Sequence, residues 1–281
     1  MDPLLFLLAF AVGLILGYFL LLRTRKSRFY AKAEYWVYIP QTQLPDQSAA
    51  MDRIVGANPY ASKGRSPIGP KEGLILSDVR LHISLVRRQK NPHLFRPDLF
   101  QDAEFDAEML AALARSQALI VLRYVSEDPL PDLRHLQFLL HAADAYAELA
   151  GGEVVLDTVS DRVWTRPELA AVLAAQPDVT HPEAHVRVLW QPVQNGFRAV
   201  TKGLLKRGLR ELTTDAMEPD ERLLVVSVLE EAVRRFWKEP DAPSSIDLPV
   251  FDDLFRVEIG NARRLPADAP VPVRILRLRN A

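Results

Sequence analysis

One run of residues constrains this chain more than any other. Residues 4–22, nineteen in all, pass without a charged side chain, and Tyr18 supplies the only polar group among them. At about 1.5 Å of rise per residue, a helix of that length reaches roughly 30 Å, the thickness of a bilayer core. The run therefore predicts a transmembrane anchor over 1–22. A cleavable leader needs a basic start, a shorter apolar stretch and a small-residue cleavage site, whereas here only Asp2 carries charge before the run and Arg23 follows it at once. The next segment, 23–33, holds Arg23, Arg25, Lys26, Arg28 and Lys32 with no acid, and reads as a basic juxtamembrane linker. Basic flanks stay on the cytoplasmic side. The expectation is a single-pass protein of the inner membrane with its N-terminus outside and residues 34–281 cytoplasmic, the five basic side chains facing the lipid bilayer and its anionic head groups. Ala9, Gly13 and Gly17 share one helix face, the small-residue spacing that lets two helices approach, and they predict self-association into a homodimer.

Beyond the linker the chain alternates short apolar runs with helical periodicities. EYWVYI at 34–39 is aromatic and β-branched, reads as a strand, and is stopped by Pro40. Residues 40–72 are rich in proline and glycine and read as connection, apart from a short helix around 51–55. Residues 73–88 alternate as a strand or hairpin, and 103–115 carries a helical stripe of Phe105, Met109, Leu110 and Leu113. ALIVLRYV at 118–125 is a central strand, followed by a long helix with Asp132 as its N-cap and Gly151-Gly152 as its stop. A strand at 154–156 makes 118–158 a strand–helix–strand crossover unit. Thr165-Arg-Pro-Glu168 is a capping box opening a helix to about 175. A strand at 186–190, a helix from Pro219 to about 237 and strands at 248–259 and 271–278 complete the pattern, with 196–214 left without a regular period by Gly203 and Gly208. The fold expected is α+β, with mixed α/β as the alternative: one N-terminal transmembrane helix, then a single soluble domain with a mixed sheet and four to five helices.

The run Thr-Lys-Gly-Leu-Leu-Lys-Arg-Gly-Leu-Arg-Glu-Leu at 201–212, taken with the strand–helix–strand before it, resembles uncharacterised bacterial α+β domains of unknown function. That resemblance covers part of the chain and implies a bacterial α+β domain without attaching an activity to it.

Composition narrows the chemistry. The chain has no cysteine, which removes thiol nucleophiles, disulfides and cysteine-ligated zinc. Its 35 basic and 36 acidic side chains leave a net charge of −1, so no nucleic-acid partner is expected. Gly203 and Gly208 have P-loop spacing, but Leu209-Arg210 stands where Lys-Ser/Thr would hold phosphate and Mg²⁺. His181 and His185 are four apart, yet Pro182 takes them off a helix, and no metal is expected there. His141, Asp144 and Glu148 share one face of the long helix and read as its solvated side. The acid pairs Asp157/Asp161 and Asp252-Asp253 lack a third ligand for a divalent ion. The remaining constellation is on the 73–88 strand, where alternation puts Asp78, Arg80, His82 and Ser84 on one face. A carboxylate, a guanidinium and an imidazole in a row suit anion binding or proton transfer, and a wet strand face without a function produces the same row. Acid-free runs at 79–97, and at 184–210 with Arg187, Arg198, Lys202, Lys206, Arg207 and Arg210, suggest a basic surface turned to the membrane.

These readings converge on a membrane-anchored interaction or regulatory module with an unidentified protein partner, without catalysis and without cofactor or metal. The alternative is a membrane-tethered enzyme or binding domain for an anionic or phosphorylated ligand, using Asp78, Arg80 and His82.

Overall fold

The computed structural model describes residue 13 and residues 30–57, 80–240, 244–261, 265–266 and 269–278. β1 (Ala31–Ile39) opens the fold, and all of its residues but Lys32 and Trp36 are buried. The chain then forms α1 (Gln47–Ala57), β2 (Leu81–Arg87) and α2 (Ala107–Arg115) before β3 (Ala118–Ser126), α3 (Arg134–Ala150), β4 (Val154–Asp157) and β5 (Arg162–Thr165). A strand buried on both faces belongs in the middle of a sheet. β1 accordingly lies between β3 and β4, antiparallel to both, in a five-stranded sheet of order β2-β3-β1-β4-β5. β3 and β4 run the same way on either side of β1, and α3 carries the chain across between them as a split β-α-β unit.

After α4 (Arg166–Ala175), a second sheet of six strands begins. β6 (Arg187–Val193), β7 (Gly196–Lys202) and β8 (Leu212–Thr214) come first. They are followed by α5 (Arg222–Lys238), β9 (Ser245–Val250), β10 (Asp253–Ile259) and β11 (Val271–Leu278). The order is β6-β7-β8-β11-β10-β9, and only the β8–β11 pair is parallel.

Two sheets therefore replace the single mixed sheet expected. Alternation identifies strands but not their neighbours, and the segment around α4 leaves β5 at one sheet's edge while β6 starts another. The expected transmembrane helix is corrected as well: among the described residues no helix is long and apolar enough to cross a membrane. The longest, α3 and α5, have 17 residues each and carry charged side chains. Of the predicted anchor only Gly13 is described, helical and exposed. Ala9, Gly17, Arg23, Arg25, Lys26 and Arg28 lie outside the described residues. Lys32 belongs to β1 rather than to a linker and pairs with Glu34 at 3.4 Å.

Local chemistry accounts for the element ends. Asp106 starts α2 by accepting Met109 N–H at 2.7 Å, later than the start near 103 that the apolar stripe suggests. Asp132 is not the cap of α3: Leu133 holds that position without a side-chain bond, and the Asp132 carboxylate accepts Arg134 N–H at 3.1 Å. α3 ends at Gly151, whose φ of 65° lies in the left-handed region. The Thr165–Glu168 capping box forms as the sequence spells it, with the Thr165 N–H held at 2.8 Å and the Glu168 N–H at 3.4 Å.

The first sheet is covered on both faces. On one, Tyr38, Leu119, Val121 and Leu156 pack with Met109 and Leu113 of α2. On the other, Tyr35, Val37 and Ile120 join Leu136, Leu139 and Leu140 of α3 in a cluster that continues into the second sheet and α5 through Ala199, Val228, Leu229 and Phe255. Leu139→Ala empties a fully buried position and should cost about 2–5 kcal/mol in chemical denaturation. Leu223→Ala, at a residue 72% exposed, should stay within about 0.5 kcal/mol.

Candidate functional site

The row predicted on the 73–88 strand is only partly described. Asp78 lies outside the described residues, Arg80 occupies the turn before β2, and its guanidinium carbon sits 5.5 Å from the centroid of the Tyr124 ring. His82 and Ser84 are exposed on β2, with His82 opposite Arg123 of β3. β2 is an edge strand, so alternation has left its polar side wet.

Catalytic residue types gather instead where the two sheets meet. β-sheet register sets Tyr35 directly beside Asp157. Asp157 ends β4, and its carboxylate organises the turn into β5 by accepting Val159 N–H at 3.0 Å, Ser160 N–H at 3.2 Å and the Ser160 hydroxyl at 2.7 Å. Lys206 reaches the same carboxylate from a single 3-10 turn, Leu204–Arg207, and both partners of this ion pair are wholly buried. The turn depends on glycine at each end. Gly203 has φ 117° and a Cβ there would sit 2.0 Å from His185 O; Gly208 has φ 84° and would meet the Tyr30 ring at 2.1 Å.

The cluster's proton inventory is set by its acceptors. His185 Nε2 faces the Val179 carbonyl at 2.5 Å and must therefore donate, which leaves Nδ1 to accept from the Tyr35 hydroxyl at 3.1 Å. Lys206 Nζ donates to Tyr35 Oη at 3.4 Å and to His185 O at 3.0 Å. Burial lowers the Lys206 pKa against the pull of Asp157, and burial with the Lys206 charge holds His185 neutral, well below the usual imidazole range. Burial and the Asp157 charge raise Tyr35 well above the usual phenol value. Tyr35, Asp157, His185 and Lys206 are all 0% exposed. A lysine, a tyrosine, a histidine and a carboxylate thus meet in a sealed interior where each is already engaged, and the arrangement locks one sheet to the other.

Glu211 holds the Lys206 turn in place. Its carboxylate accepts Gly203 N–H at 2.8 Å, Leu205 N–H at 3.3 Å and the Thr201 hydroxyl at 2.8 Å. Burial nevertheless pushes the carboxyl up to about 7, those hydrogen bonds opposing the shift.

Two expectations about charge change at this point. The basic run 184–210 is not a continuous surface patch: Lys206 is in the core, Lys202 bridges Asp161 and Asp102, and Arg187 donates to the Asp102 and Asp161 carbonyls at 2.9 and 2.7 Å. The acids Asp157 and Asp161 each face a lysine rather than one another's ion. The His141/Asp144/Glu148 stripe is not a solvated face either. His141 and Asp144 are buried, and Arg53 of α1 covers them by binding Asp144 at 3.0 Å and Glu148 at 2.7 Å. A helix that sits on α3 from far along the chain is invisible to the helix's own periodicity.

The accessible chemistry lies next to the sealed cluster. Arg162, the first residue of β5, donates to Glu183 O at 2.7 Å and Val186 O at 3.1 Å, so carbonyl oxygens hold its guanidinium rather than a carboxylate. Burial lowers its pKa, Asp157 resists, and the neighbouring Arg187 charge lowers it further. Among the described residues Arg187 has one ion-pair partner, Glu104 at 3.4 Å, whose side chain is 92% exposed. These two arginines form a wall shared by two clefts. One, of ≈ 300 Å³, lies between β6 and α5; the other, of ≈ 650 Å³, lies beside α2 and α4 and is bordered by Glu104, Asp106 and Glu168. The sequence pattern places Arg187 and Lys206 in a basic surface rather than at these sites, and it does not single out Arg162. The one local sign of the Lys206 turn was its flanking glycines; no local signal marks Arg162.

Two measurements test the interior. Lys206→Met leaves the Asp157 carboxylate buried without its cation and should cost about 3–5 kcal/mol, while Lys206→Met with Asp157→Leu should cost clearly less than the two single changes summed. Equal additivity would mean that the pair is not the lock. For Glu211, a folded-state pKa of about 7 against an unfolded value near 4.5 means that the folded chain holds the extra proton. Its stabilising contribution is therefore complete below the unfolded value and lost as pH rises through the folded one. Glu211→Gln cannot ionise, so its stability relative to wild type should climb between pH 4.5 and 7 and then level; parallel profiles would remove this assignment.

Comparison of the chain with protein-family models, with curated proteins and with solved structures finds no match, so geometry alone carries the reading of the site.

Proposed function

We propose that the domain is an interaction module that recognises an anionic group on its partner at the Arg162–Arg187 wall. The observation that carries this reading is the placement of two neighbouring guanidinium groups, one of them hydrogen-bonded to carbonyls, between two open clefts. Like charges side by side in a partly buried wall repel one another, and an incoming carboxylate or phosphate relieves that repulsion while meeting planar, forked donors. The closed state of the Lys206 cluster supports a binding role over a catalytic one, since a substrate would have to part the two sheets to reach it. The uncharged run 4–22 and its basic flank support a second element of the reading, that the module works at a membrane surface.

Isothermal titration of the full-length chain, purified in non-ionic detergent, with inorganic phosphate, citrate and an aspartate-rich peptide tests the reading. At least one probe should bind, more weakly as salt rises. Arg187→Gln, which keeps a donor for the Asp102 carbonyl but removes the charge, should weaken it at least tenfold in a normally folded protein. Equal binding by the variant would move the contact elsewhere.

A further inference from the structure

We infer that the cleft between β6 and α5 is a binding site for a carboxylate carried on a short aliphatic chain. The inference rests on the anionic reading above and adds to it the cleft that is used and the shape of what enters it. The two clefts share their arginines but differ in the rest of their walls. The larger one adds three carboxylates, Glu104, Asp106 and Glu168, to the two guanidinium groups, and so repels an anion as much as it attracts one. The smaller one adds Arg234 and only two carboxylates, Glu183 and Glu230. Glu183 is engaged by Arg234 at 2.6 Å and by His181 at 3.0 Å. Among the charges that line it, three guanidinium groups stand against two carboxylates, a positive balance.

The remainder of that recess is aliphatic. Pro182 and Val186 come from the turn into β6, Val188 from β6 itself, and Val233 from the facing side of α5; all but Val188 are buried. Among the described residues no aromatic ring lines it, so stacking on a base or a sugar is not what they offer. A net positive lining and branched-aliphatic side chains in ≈ 300 Å³ match a headgroup of one carboxylate and a stem of a few methylenes. Two sources carry that chemistry, a free short-chain acid and the C-terminal carboxylate of a peptide ending in an aliphatic residue. The guanidinium fork receives both in the same way.

The test titrates the full-length chain with acetate, butanoate and hexanoate, with hexylamine, with inorganic phosphate, and with a peptide ending in Val-Leu as its free acid and as its amide. Affinity should rise from acetate to hexanoate by up to about fourfold per added methylene, the gain expected from burying each one. Hexylamine should not bind. Arg187→Gln should weaken hexanoate at least tenfold, and Arg234→Gln, at a residue exposed enough to be replaced without loss of fold, should weaken it by a smaller factor. Val233→Ala should flatten the chain-length dependence while leaving acetate unchanged. Hexanoate binding with an inert peptide supports the site with a small acid as its source, and a preference for the peptide acid over its amide supports the site with a peptide terminus. If phosphate binds as well as hexanoate and chain length has no effect, the aliphatic site is wrong while the anionic reading stands. If none of the anions, phosphate and the peptide included, binds, both fall.

Discussion

Among the described residues one ion pair is wholly buried on both sides, and the junction of the two sheets is arranged around it. Asp157 ends a strand of the first sheet, Lys206 sits in the turn between β7 and β8 of the second, and neither touches water. Moving two charges out of water costs several kcal/mol per ion, and the attraction between them offsets that cost only when the geometry is good and the remaining donors and acceptors are filled. Here they are filled. Asp157 accepts from two backbone N–H groups and a serine, and Lys206 has a tyrosine hydroxyl and a carbonyl besides its carboxylate. An apolar contact between the sheets would tolerate sliding by a fraction of a side chain. This one does not, because a shift leaves a charge unpaired in the core.

The dependence runs outward from there. For Lys206 to arrive at Asp157, the chain must turn between β7 and β8 with the backbone almost touching His185, which only a glycine at 203 allows. For the turn to stay closed, its N–H groups need an acceptor, and Glu211 supplies one. The turn into β5 is tied to the same point: Asp157 shapes it, and Arg162, just beyond it, leans across to the segment that leads into β6. The accessible arginine wall is thus a by-product of the same junction, positioned by the elements that the ion pair holds in register.

Much of the scaffold is legible in the sequence and little of the junction is. The stripe Leu136, Leu139, Leu140, Ala143 and Ala147 marks the buried face of α3, and all five are 0% exposed. The Thr165 box and the Gly151 stop are local chemistry, and local chemistry is what a sequence displays. What it does not display is long-range pairing. The unassigned stretch 196–214 contains two strands and the Lys206 turn, and their meaning comes from partners 49 residues away, at Asp157, and 171 away, at Tyr35. Charge runs mislead for the same reason. Six bases without an intervening acid, from Arg187 to Arg210, suggest a surface, but two strands and the turns that follow them point them to different sides, one of them straight into the core. On β2 the alternation holds at His82 and Ser84, both exposed, while Asp78 lies outside the described residues and Arg80 sits in the turn before the strand.

The order of strands in the second sheet has a consequence for how the protein is made. β11, the last of the described strands to leave the ribosome, lies inside the sheet, between β8 and β10. Until it arrives, β6-β7-β8 and β9-β10 are two separate ribbons, each with an inner edge of unpaired backbone. A nascent chain therefore spends the synthesis of everything after β8 with an edge open to stray pairing, and the parallel match of Val271–Val273 with Leu212–Thr214 closes it only at the finish. The first sheet has no such debt to the C-terminal strands, since its five strands are complete by Thr165. All strands of the first sheet are thus synthesised before β6 begins, whereas the second sheet closes only with β11.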